Sequence, residues 1–415
     1  MFNNMNAIVP EKRRICIIGA GASGLMAAVC AAKAGADDVL VLEKCDRPGR
    51  KLAATGNGKC NLSNLKCPDW QQTLGVFSEL GLMTRTDQEG RIYPYSEDAR
   101  DVVDLLVRAA EKAGAEIRTG SVVTGVERGD KGFAVTVLET GSIRTKAGKR
   151  RAYDQVGQGG DPAGSRVILA DKVLIAAGGK SYPVYGTTGD GYVFARKLGH
   201  SVRRLRPSLT TIDTAEDMKA LGLYGLRSKA RVSLFRNGVP AASEQGEVQF
   251  TDHGISGICV FDLTSEMALE QGEDFSVFTL TLDLVPEMTI DQIKVFLADG
   301  AARGYTERES LCSLIKGPLA DVIAGRKLSE ECAAAQLKEL TLRPVNLGGW
   351  GRAQVTAGGV ASEEIDPGTM GSLIVPGLYF SGEVTDYAGP CGGFNLQNAW
   401  MTGIKAGRAM AEALR

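Results

Sequence analysis

The sequence predicts an α/β protein in which a parallel sheet is interrupted by an inserted segment of β-rich and helical character. Three observations lead to this prediction: a strand, turn, helix and strand pattern over Arg14–Glu43, a change to alternating β-rich segments near Arg206, and a return of buried-strand and glycine patterns near Arg352. A chain of 415 residues with 44% hydrophobic content is long enough for two or three domains.

The first pattern, Arg14–Glu43, reads RICIIGAGASGLMAAVCAAKAGADDVLVLE. Ile15–Ile18 is an unbroken apolar run, as expected for a parallel strand that is buried on both faces. Gly19, Gly21 and Gly24 follow in the G-x-G-x-x-G spacing, which permits a sharp turn, close approach of a pyrophosphate and tight helix packing. The pattern predicts a Rossmann-like unit that holds phosphates at the first N–H groups of a helix.

Glu43 ends the second predicted strand, Val39–Leu42, about 20 residues beyond the glycines. An acid at this position accepts hydrogen bonds from the hydroxyls of an adenosine ribose and disfavours a 2′-phosphate. The site is therefore predicted to prefer FAD or NAD to NADP. Glycines in the ordinary turns of a helical hairpin would not explain the strand, the spacing and the acid together.

The stretch from Lys12 to Ala32 also has features of a signal peptide or membrane anchor, since basic residues precede apolar and small ones. Three glycines and a serine occupy what should be its hydrophobic centre, and Lys33 follows directly. Elsewhere the sequence offers no uninterrupted apolar stretch of about 18 residues or more. We therefore expect a cytoplasmic protein without membrane association.

The amino-acid composition argues against three further kinds of protein or site. The 48 basic and 49 acidic residues nearly cancel, which argues against a nucleic-acid-binding surface across the whole protein. Nine cysteines without a C-x-x-C pair favour reduced thiols over a disulfide framework. With only two histidines, His200 and His253, a multi-histidine metal centre is excluded, and no metal is predicted.

The segment after Glu43 reads CDRPGRKLAATGNGKCNLSN and carries the basic residues Arg50, Lys51 and Lys59. Basic side chains and exposed backbone amides beside a pyrophosphate turn would complete an anion cradle. The alternative for Arg50 and Lys51 is a solvated charged loop.

Other segments predict the remaining architecture. Residues 98–113 predict an amphipathic helix, and alternating strands follow it. LTTID, ARVSLFRNG, EVQFTDHG and FSVFTLTLDLVP predict a β-barrel-like domain, and most of Thr289–Leu342 has helical periodicity. Leu373–Phe380 is predicted as a strand. Residues 1–10 and the polar, basic stretch Glu139–Arg166 are predicted to be a mobile tail and a disordered loop.

Two long motifs at opposite ends of the chain, GRKLAATGNGKCNLSN and GLYFSGEVTDYAGPCGGFNLQNAW, resemble the BaiN/RdsA family of NAD(P)/FAD-dependent oxidoreductases. The likeness runs from about Arg14 to the C-terminus. It implies a three-domain bacterial flavoprotein with a glutathione-reductase-like FAD-binding domain. The expected boundaries are 11–205 and 343–415 for the FAD-binding domain, 206–287 for the β-barrel-like domain and 288–342 for the helical domain.

The resemblance also implies contacts with FAD. Val123 would contact the adenine through its backbone, Ala177–Gly178 would let the chain pass close to the cofactor, and Glu383 would reach the ribityl or pyrophosphate region. The amides of Asn395–Leu396, at the start of the last helix, would stabilise negative charge on the N1–C2=O edge of the flavin. The other predicted cofactor contacts are Ala22, Ser23, Lys44, Gly58, Cys60, Asn61, Gly382 and Asp386.

The catalytic group is left open among five candidates. Tyr93, Tyr182, Tyr185 and His253 could donate or relay a proton, although packing or capping explains each of them as well. Cys391 precedes the last helix, whose N-terminus would lower the pKa of a thiol. A dithiol relay is not expected, because no second cysteine lies nearby in the sequence.

The leading hypothesis is an FAD-dependent oxidoreductase that acts on a small organic substrate in a cleft between the FAD, barrel and helical domains. Because only one dinucleotide fingerprint is present, NADH or NADPH would bind transiently. The resemblance leaves open a reductase of steroid-like enones and an amine oxidase that uses O2. An RNA-modifying enzyme with phosphate contacts at KAGKRR and a flavin-based redox sensor are further alternatives.

Overall fold

The computed structural model describes residues 10–139, 164–325 and 330–415. The chain forms two compact units, Met1–Arg206 with Val355–Arg415, and Pro207–Gln354. The KAGKRR run and almost all of the predicted N-terminal tail and of the predicted loop Glu139–Arg166 lie outside the described residues. A further division of the second unit into barrel and helical domains stays a prediction.

Strands and helices alternate in the first unit and are followed by a β-rich insertion with a helical end. The strands are β1 (Glu11–Ile18), β2 (Val39–Glu43), β3 (Ser63–Asn64), β4 (Thr84–Thr86), β5 (Arg91–Pro94), β6 (Glu116–Thr119), β7 (Ser121–Gly129), β8 (Gly132–Glu139), β9 (Ser165–Ile175), β10 (Arg206–Ser208), β11 (Ile212–Thr214), β12 (Arg227–Arg236), β13 (Val239–Phe250), β14 (Gly254–Ser256), β15 (Phe278–Asp283), β16 (Leu340–Leu342), β17 (Pro344–Leu347), β18 (Val355–Ala357) and β19 (Leu378–Phe380). The helices are α1 (Ala22–Lys33), α2 (Trp70–Glu79), α3 (Ala99–Lys112), α4 (Asp190–Lys197), α5 (Ile258–Leu263), α6 (Ile290–Ala302), α7 (Glu307–Cys312), α8 (Gly317–Ala324), α9 (Glu330–Lys338) and α10 (Phe394–Glu412).

The main sheet of the first unit has the order β6-β2-β1-β9-β8-β7. Strands β6, β2, β1 and β9 are parallel, and β19 runs parallel to the end of β9. The register pairs Ile18 with both Leu42 and Ile175, and Ile175 with Phe380. The carboxyl ends of these strands therefore meet at one edge, which is the edge where open α/β sheets bind ligands.

The buried strands explain this arrangement. Ile15, Cys16 and Ile17 of β1 are fully buried, as expected for a parallel strand that is covered on both faces. All residues of α1 from Ser23 to Ala32 are buried as well, so this helix is enclosed rather than half-exposed. Among the described residues, no helix combines the length and the apolarity needed to cross a bilayer.

The second unit contains an antiparallel sheet with the order β16-β15-β12-β13-β14-β11-β17. Buried and half-buried side chains alternate along β15, and Phe278, Leu280 and Leu282 are buried. These residues share one hydrophobic core with Leu297 of α6 and Leu319 of α8. The β-rich and helical segments thus follow the order that the sequence predicts.

The predicted strand Leu373–Phe380 is wrong in its first half, because β19 comprises only Leu378–Phe380. Ser372 Oγ accepts hydrogen bonds from the amides of Ile374 (3.0 Å) and Val375 (2.7 Å), which curls the chain into a turn. Gly377 then adopts φ +86°. A local side-chain acceptor and a left-handed glycine therefore outweigh the apolar pattern.

Glu11, at the start of β1, lies among arginines. Its carboxylate lies 2.5 Å from Arg13 Nη2, 3.0 Å from Arg118 Nη2 and 3.4 Å from Arg166 Nη1. The hydrogen bond from Arg118, opposed by burial and assisted by Arg13, lowers the pKa of Glu11 from 4.5 to about 2.

Because the folded chain lowers this pKa, the stabilisation is complete above pH 4.5 and is lost as the pH falls towards 2. We expect Glu11→Gln to lower the free energy of unfolding by about 1–2 kcal/mol at neutral pH, after solvent screening. Near pH 2 the variant and the wild type should be almost equally stable. Denaturant titrations at both pH values test this, and an equal loss at both would contradict it.

Candidate cofactor site

The turn after β1 has the geometry that the glycine spacing predicts. Gly19 has φ +105°, and a Cβ atom there would lie 2.5 Å from Ala176 O. A Cβ atom on Gly24 would lie 2.0 Å from Gly19 O, whereas one on Gly21 would meet no atom within 4 Å. Packing within the chain therefore requires two of these glycines, and the third faces open space.

Helix α1 begins at this turn with its first backbone amides uncapped. Gly21 is its N-cap, no side chain caps it, and the first turn contains no acidic residue. The first helical hydrogen bond runs from Leu25 N to Gly21 O (3.0 Å), so the amides of Ala22–Gly24 precede it. Ser23 Oγ donates to Ser381 O (3.3 Å). The helix start has the properties of a diphosphate site.

Glu43 lies at the end of β2, beside the glycine turn. Its carboxylate accepts hydrogen bonds from Ala20 N (2.9 Å) and Cys45 N (2.8 Å). A carboxylate has about four acceptor positions, so the capacity to accept ribose hydroxyls remains. The described geometry agrees with the predicted role of Glu43 at the adenosine end, and that role stays a prediction.

The predicted cofactor contacts Lys44, Arg50 and Lys51 all have partners within the chain. Lys44 Nζ lies 2.5 Å from Asp190 Oδ2 and donates to Thr188 Oγ1, and Arg50 Nη2 donates to Val184 O (3.1 Å). Lys51 Nζ pairs with Glu383 (2.6 Å). The structure thus reveals protein acceptors for all three side chains, and their contact with the cofactor stays a prediction.

The segment Leu52–Asn61 offers backbone atoms, rather than large side chains, for contact with a ligand. Asn57 and Gly58 have φ +55° and +85°, and a Cβ atom on Gly58 would meet no atom within 4 Å. Cys60 is fully buried, and burial raises the pKa of its thiol to about 12, so it is a packing residue rather than a nucleophile. Asn61 Oδ1 is buried and has no hydrogen-bond partner within the described residues. A buried acceptor of this kind fits a ligand that offers an N–H or O–H group.

The chain that leaves β9 passes through Ala177, Gly178 and Gly179. Gly178 has φ +71°. A Cβ atom on Gly179 would lie 2.4 Å from Thr356 Oγ1 and 2.7 Å from the carboxyl carbon of Glu383. Thr356 Oγ1 accepts the amide of Lys180 (2.8 Å) and also that of the next residue. Because Gly179 has no side chain, β18 can lie close to the segment that follows β9.

Glu383 follows Gly382, which has φ +74° and whose Cβ would lie 2.5 Å from Ser23 Oγ. The Glu383 carboxylate accepts hydrogen bonds from Lys51 Nζ (2.6 Å), Ser181 Oγ (2.7 Å) and Thr356 N (2.8 Å). Burial opposes its ionisation, but the Lys51 charge and these hydrogen bonds outweigh burial and hold the pKa of Glu383 below its ordinary value. Glu383 is therefore an anion at neutral pH.

Helix α10 begins after two left-handed glycines, Gly392 (φ +104°) and Gly393 (φ +106°). Its first helical hydrogen bond runs from Gln397 N to Gly393 O (2.9 Å), so the amides of Asn395–Leu396 precede it. A Cβ atom on Gly393 would lie 2.5 Å from Ser63 O and 2.9 Å from Asn61 Oδ1. The start of the last helix is thus packed against the segment that follows β2.

Val123 and Asp386 are the remaining predicted contacts. Val123 is buried in β7, where it pairs with Val137 beside a register shift. Asp386 Oδ2 lies 2.9 Å from Arg203 Nε, and burial raises the pKa of Asp386 although Arg203 opposes the shift. Their roles toward a cofactor stay predictions.

The candidate proton donors lie in different parts of the chain. Tyr93 is half-buried in β5, and burial raises its pKa. Tyr182 adopts φ +52°, which is unusual for a bulky residue, and its ring lies 5.8 Å from that of Tyr185. His253 belongs to the second unit, where its side chain is exposed and Nε2 lies 3.3 Å from Asp252. Cys391 is half-buried in the loop before α10.

Sequence reasoning missed the polar partners Ser181, Thr356, Tyr192 and Asp190. Tyr192 donates to Glu383 O (3.0 Å) across 191 residues of sequence. Only Asp190 had a local signal, because it stands between two glycines at the start of a helix. The other three are recognised only when the ends of β9, β18 and β19 are placed side by side.

Taken together, the acid-free start of α1, the unpartnered acceptor of Asn61 and the open directions at Gly21 and Gly58 fit FAD stretched along the carboxyl edge of the sheet. Ala177 and Gly178 would lie close to it, and the amides before Gln397 would face its ring. The fold and this cradle are typical of a protein that binds a flavin dinucleotide.

The model of the HI0933-like protein Rossmann domain matches residues 13–74 and 153–409, and the chain belongs to this family of FAD-dependent oxidoreductases. The resemblance to BaiN/RdsA proteins is thereby confirmed. The chain is 33% identical to the 3-dehydro-bile acid delta(4,6)-reductase of Clostridium scindens, with 96% of this chain and 99% of that protein covered. It is 26% identical to the ribosomal RNA dihydrouridine synthase of Escherichia coli, over 94% and 96% of the two chains. A flavocytochrome c3 fumarate reductase in its open conformation is 17% identical, with a TM-score of 0.49 over 97% of this chain and 79% of that one.

Proposed function

We propose that the protein reduces a carbon–carbon double bond conjugated with a carbonyl group in a small organic substrate, with NADH or NADPH as the source of electrons. The observation that carries this proposal is the 33% identity, over 96% of the chain, to a reductase of a 3-dehydro-bile acid. We therefore expect the substrate to be a steroid-like enone.

The bound flavin supplies the two-electron chemistry of this reaction. The reduction adds a hydride to the β-carbon and a proton to the α-carbon, and the nicotinamide loses the corresponding electron pair. The chain must hold the substrate, exclude water and provide the proton. Tyr182 and Tyr185 are candidate donors because both are half-buried and follow the carboxyl end of β9, and burial raises the pKa of Tyr182 so that its phenol stays protonated.

A second candidate is the reduction of uracil in RNA, which is favoured by the 26% identity to ribosomal RNA dihydrouridine synthases of Escherichia coli and Haemophilus influenzae. Uracil contains a double bond conjugated with a carbonyl, so the two candidates require the same chemistry on substrates of different size. The near balance of 48 basic and 49 acidic residues favours the small substrate.

Anaerobic stopped-flow spectroscopy tests the proposal. We expect NADH or NADPH to bleach the flavin rapidly. When the reduced protein is then mixed either with a steroid enone or with aerated buffer, the enone should restore the flavin colour faster. Saturation of the enone should be visible by mass spectrometry as a gain of two hydrogen atoms. Absence of flavin reduction by both nucleotides would overturn the proposal. Reoxidation by ribosomal RNA, but by no enone, would favour the second candidate.

A further inference from the structure

Lys51 and Glu383 form an ion pair that joins segments 332 residues apart in sequence. Their side chains are only 22% and 19% exposed. Lys51 Nζ also donates to Ser181 Oγ (2.7 Å), and Ser181 Oγ donates to Glu383 (2.7 Å). The pair therefore ties together the loops that follow β2, β9 and β19, all at the ligand-binding edge of the sheet.

The direction of the Lys51 ammonium is fixed by these contacts. An ammonium has three N–H groups, and within the described chain two of them are directed at Glu383 and Ser181. One N–H group is left for a ligand. Within the protein Glu383 accepts three of the about four hydrogen bonds that a carboxylate can accept, from Lys51 at Oε2 and from Ser181 and Thr356 at Oε1. Its main effect is therefore on Lys51 rather than on a ligand hydroxyl.

The charge balance indicates which part of the cofactor lies here. A diphosphate next to Glu383 would meet a negative charge that already neutralises Lys51. Lys44 is neutralised by Asp190 in the same way (2.5 Å). The start of α1, by contrast, has no acidic residue in its first turn and no capping side chain. The diphosphate is thus better accommodated at α1, and the neutral Lys51–Glu383 pair suits an uncharged part of FAD.

We propose that Glu383 is a positioning residue that holds Lys51 beside the flavin-bearing part of the cofactor, and that the two charges shift the reduction potential of the bound flavin in opposite directions, so that each one balances the other. A reduced flavin carries more negative charge than an oxidised one, so a nearby cation favours reduction and a nearby anion opposes it. The inference requires FAD but no particular substrate.

Opposite shifts of the flavin midpoint potential test this inference. Lys51→Met leaves the Glu383 carboxylate without its cation and should move the potential to a more negative value. Glu383→Gln leaves the ammonium without its anion and should move it to a more positive value. The double variant should return close to the wild-type potential, because it removes both charges. A merely structural role would not produce shifts of opposite sign.

FAD affinity provides the second readout. If Lys51 instead binds the diphosphate, Lys51→Met should weaken FAD binding by more than about tenfold, with the same loss in the Glu383→Gln background and with little change in potential. That result would overturn the inference. Lys33→Met and Glu79→Gln remove an exposed ion pair (2.8 Å) between α1 and α2 and should leave the potential unchanged.

The test remains decisive if one of the two single variants fails to fold. If Glu383→Gln yields no folded flavoprotein, Lys51→Met decides the question: a lower potential supports the inference, and an unchanged potential overturns it. Lys51→Arg should restore a near wild-type potential, because guanidinium preserves the charge and can still bond to Glu383.

Discussion

Gly21→Val is expected to yield a folded but colourless protein. Gly21 has φ −83°, a conformation open to any residue, and no atom lies within 4 Å of the position of its Cβ. The valine side chain would occupy open space at the N-cap of α1, where we predict that the diphosphate binds. We expect FAD affinity to fall by about 100-fold or more, equivalent to about 3 kcal/mol. The flavin absorbance of the purified protein and a fluorescence titration with FAD measure this loss.

Gly24 supplies the matched control, because it belongs to the same motif but serves packing. A Cβ atom there would lie 2.0 Å from Gly19 O and 3.3 Å from Ala176 Cβ. Gly24→Ala should therefore lower the free energy of unfolding, by about 2–3 kcal/mol, even in FAD-free protein. Wild-type FAD affinity in Gly21→Val would contradict the placement of the diphosphate at α1.

The contrast between these glycines shows how much of the site is local in sequence. The spacing of Gly19, Gly21 and Gly24 and the acid Glu43 predict the first strand, turn and helix, because each role depends on neighbours within one βαβ unit. The start of α10 is predictable for the same reason, since its glycines immediately precede the helix. Such motifs specify the geometry of residues that are close together in sequence.

The partners of the basic residues could not be predicted in this way. Arg50 and Lys51 have the composition of an anion cradle, yet Lys51 finds its carboxylate 332 residues away. No sequence pattern states that the ends of β2, β9 and β19 converge within hydrogen-bond distance; this follows only from the parallel order of the strands. The same limitation applies to Ser181 and Thr356, whose roles depend on the close approach that Gly179 permits.

Gly407→Val is expected to destabilise the whole first unit. Helix α10 crosses α1 so closely that a Cβ atom on Gly407 would lie 2.4 Å from Ala27 O and 3.0 Å from Cys30 Cβ. One turn earlier, a Cβ atom on Gly403 would lie 2.5 Å from Ser23 O. Helix α1 and the face of α10 around Gly407 are buried and cannot move apart without opening the core, so we expect a loss of about 3 kcal/mol or more in the free energy of unfolding.

Gly75→Ala in α2 is the control, since it adds a Cβ atom to a helical glycine that has no atom within 4 Å of the Cβ position. There the lower entropy of the unfolded chain should leave stability unchanged or raise it by up to about 1 kcal/mol. Denaturant titrations of the two variants with and without FAD separate the effects. Because we predict that the diphosphate of FAD lies at the start of α1 and the flavin ring at the start of α10, Gly407→Val should also weaken FAD binding. Normal stability with normal FAD affinity would refute the close packing of the two helices.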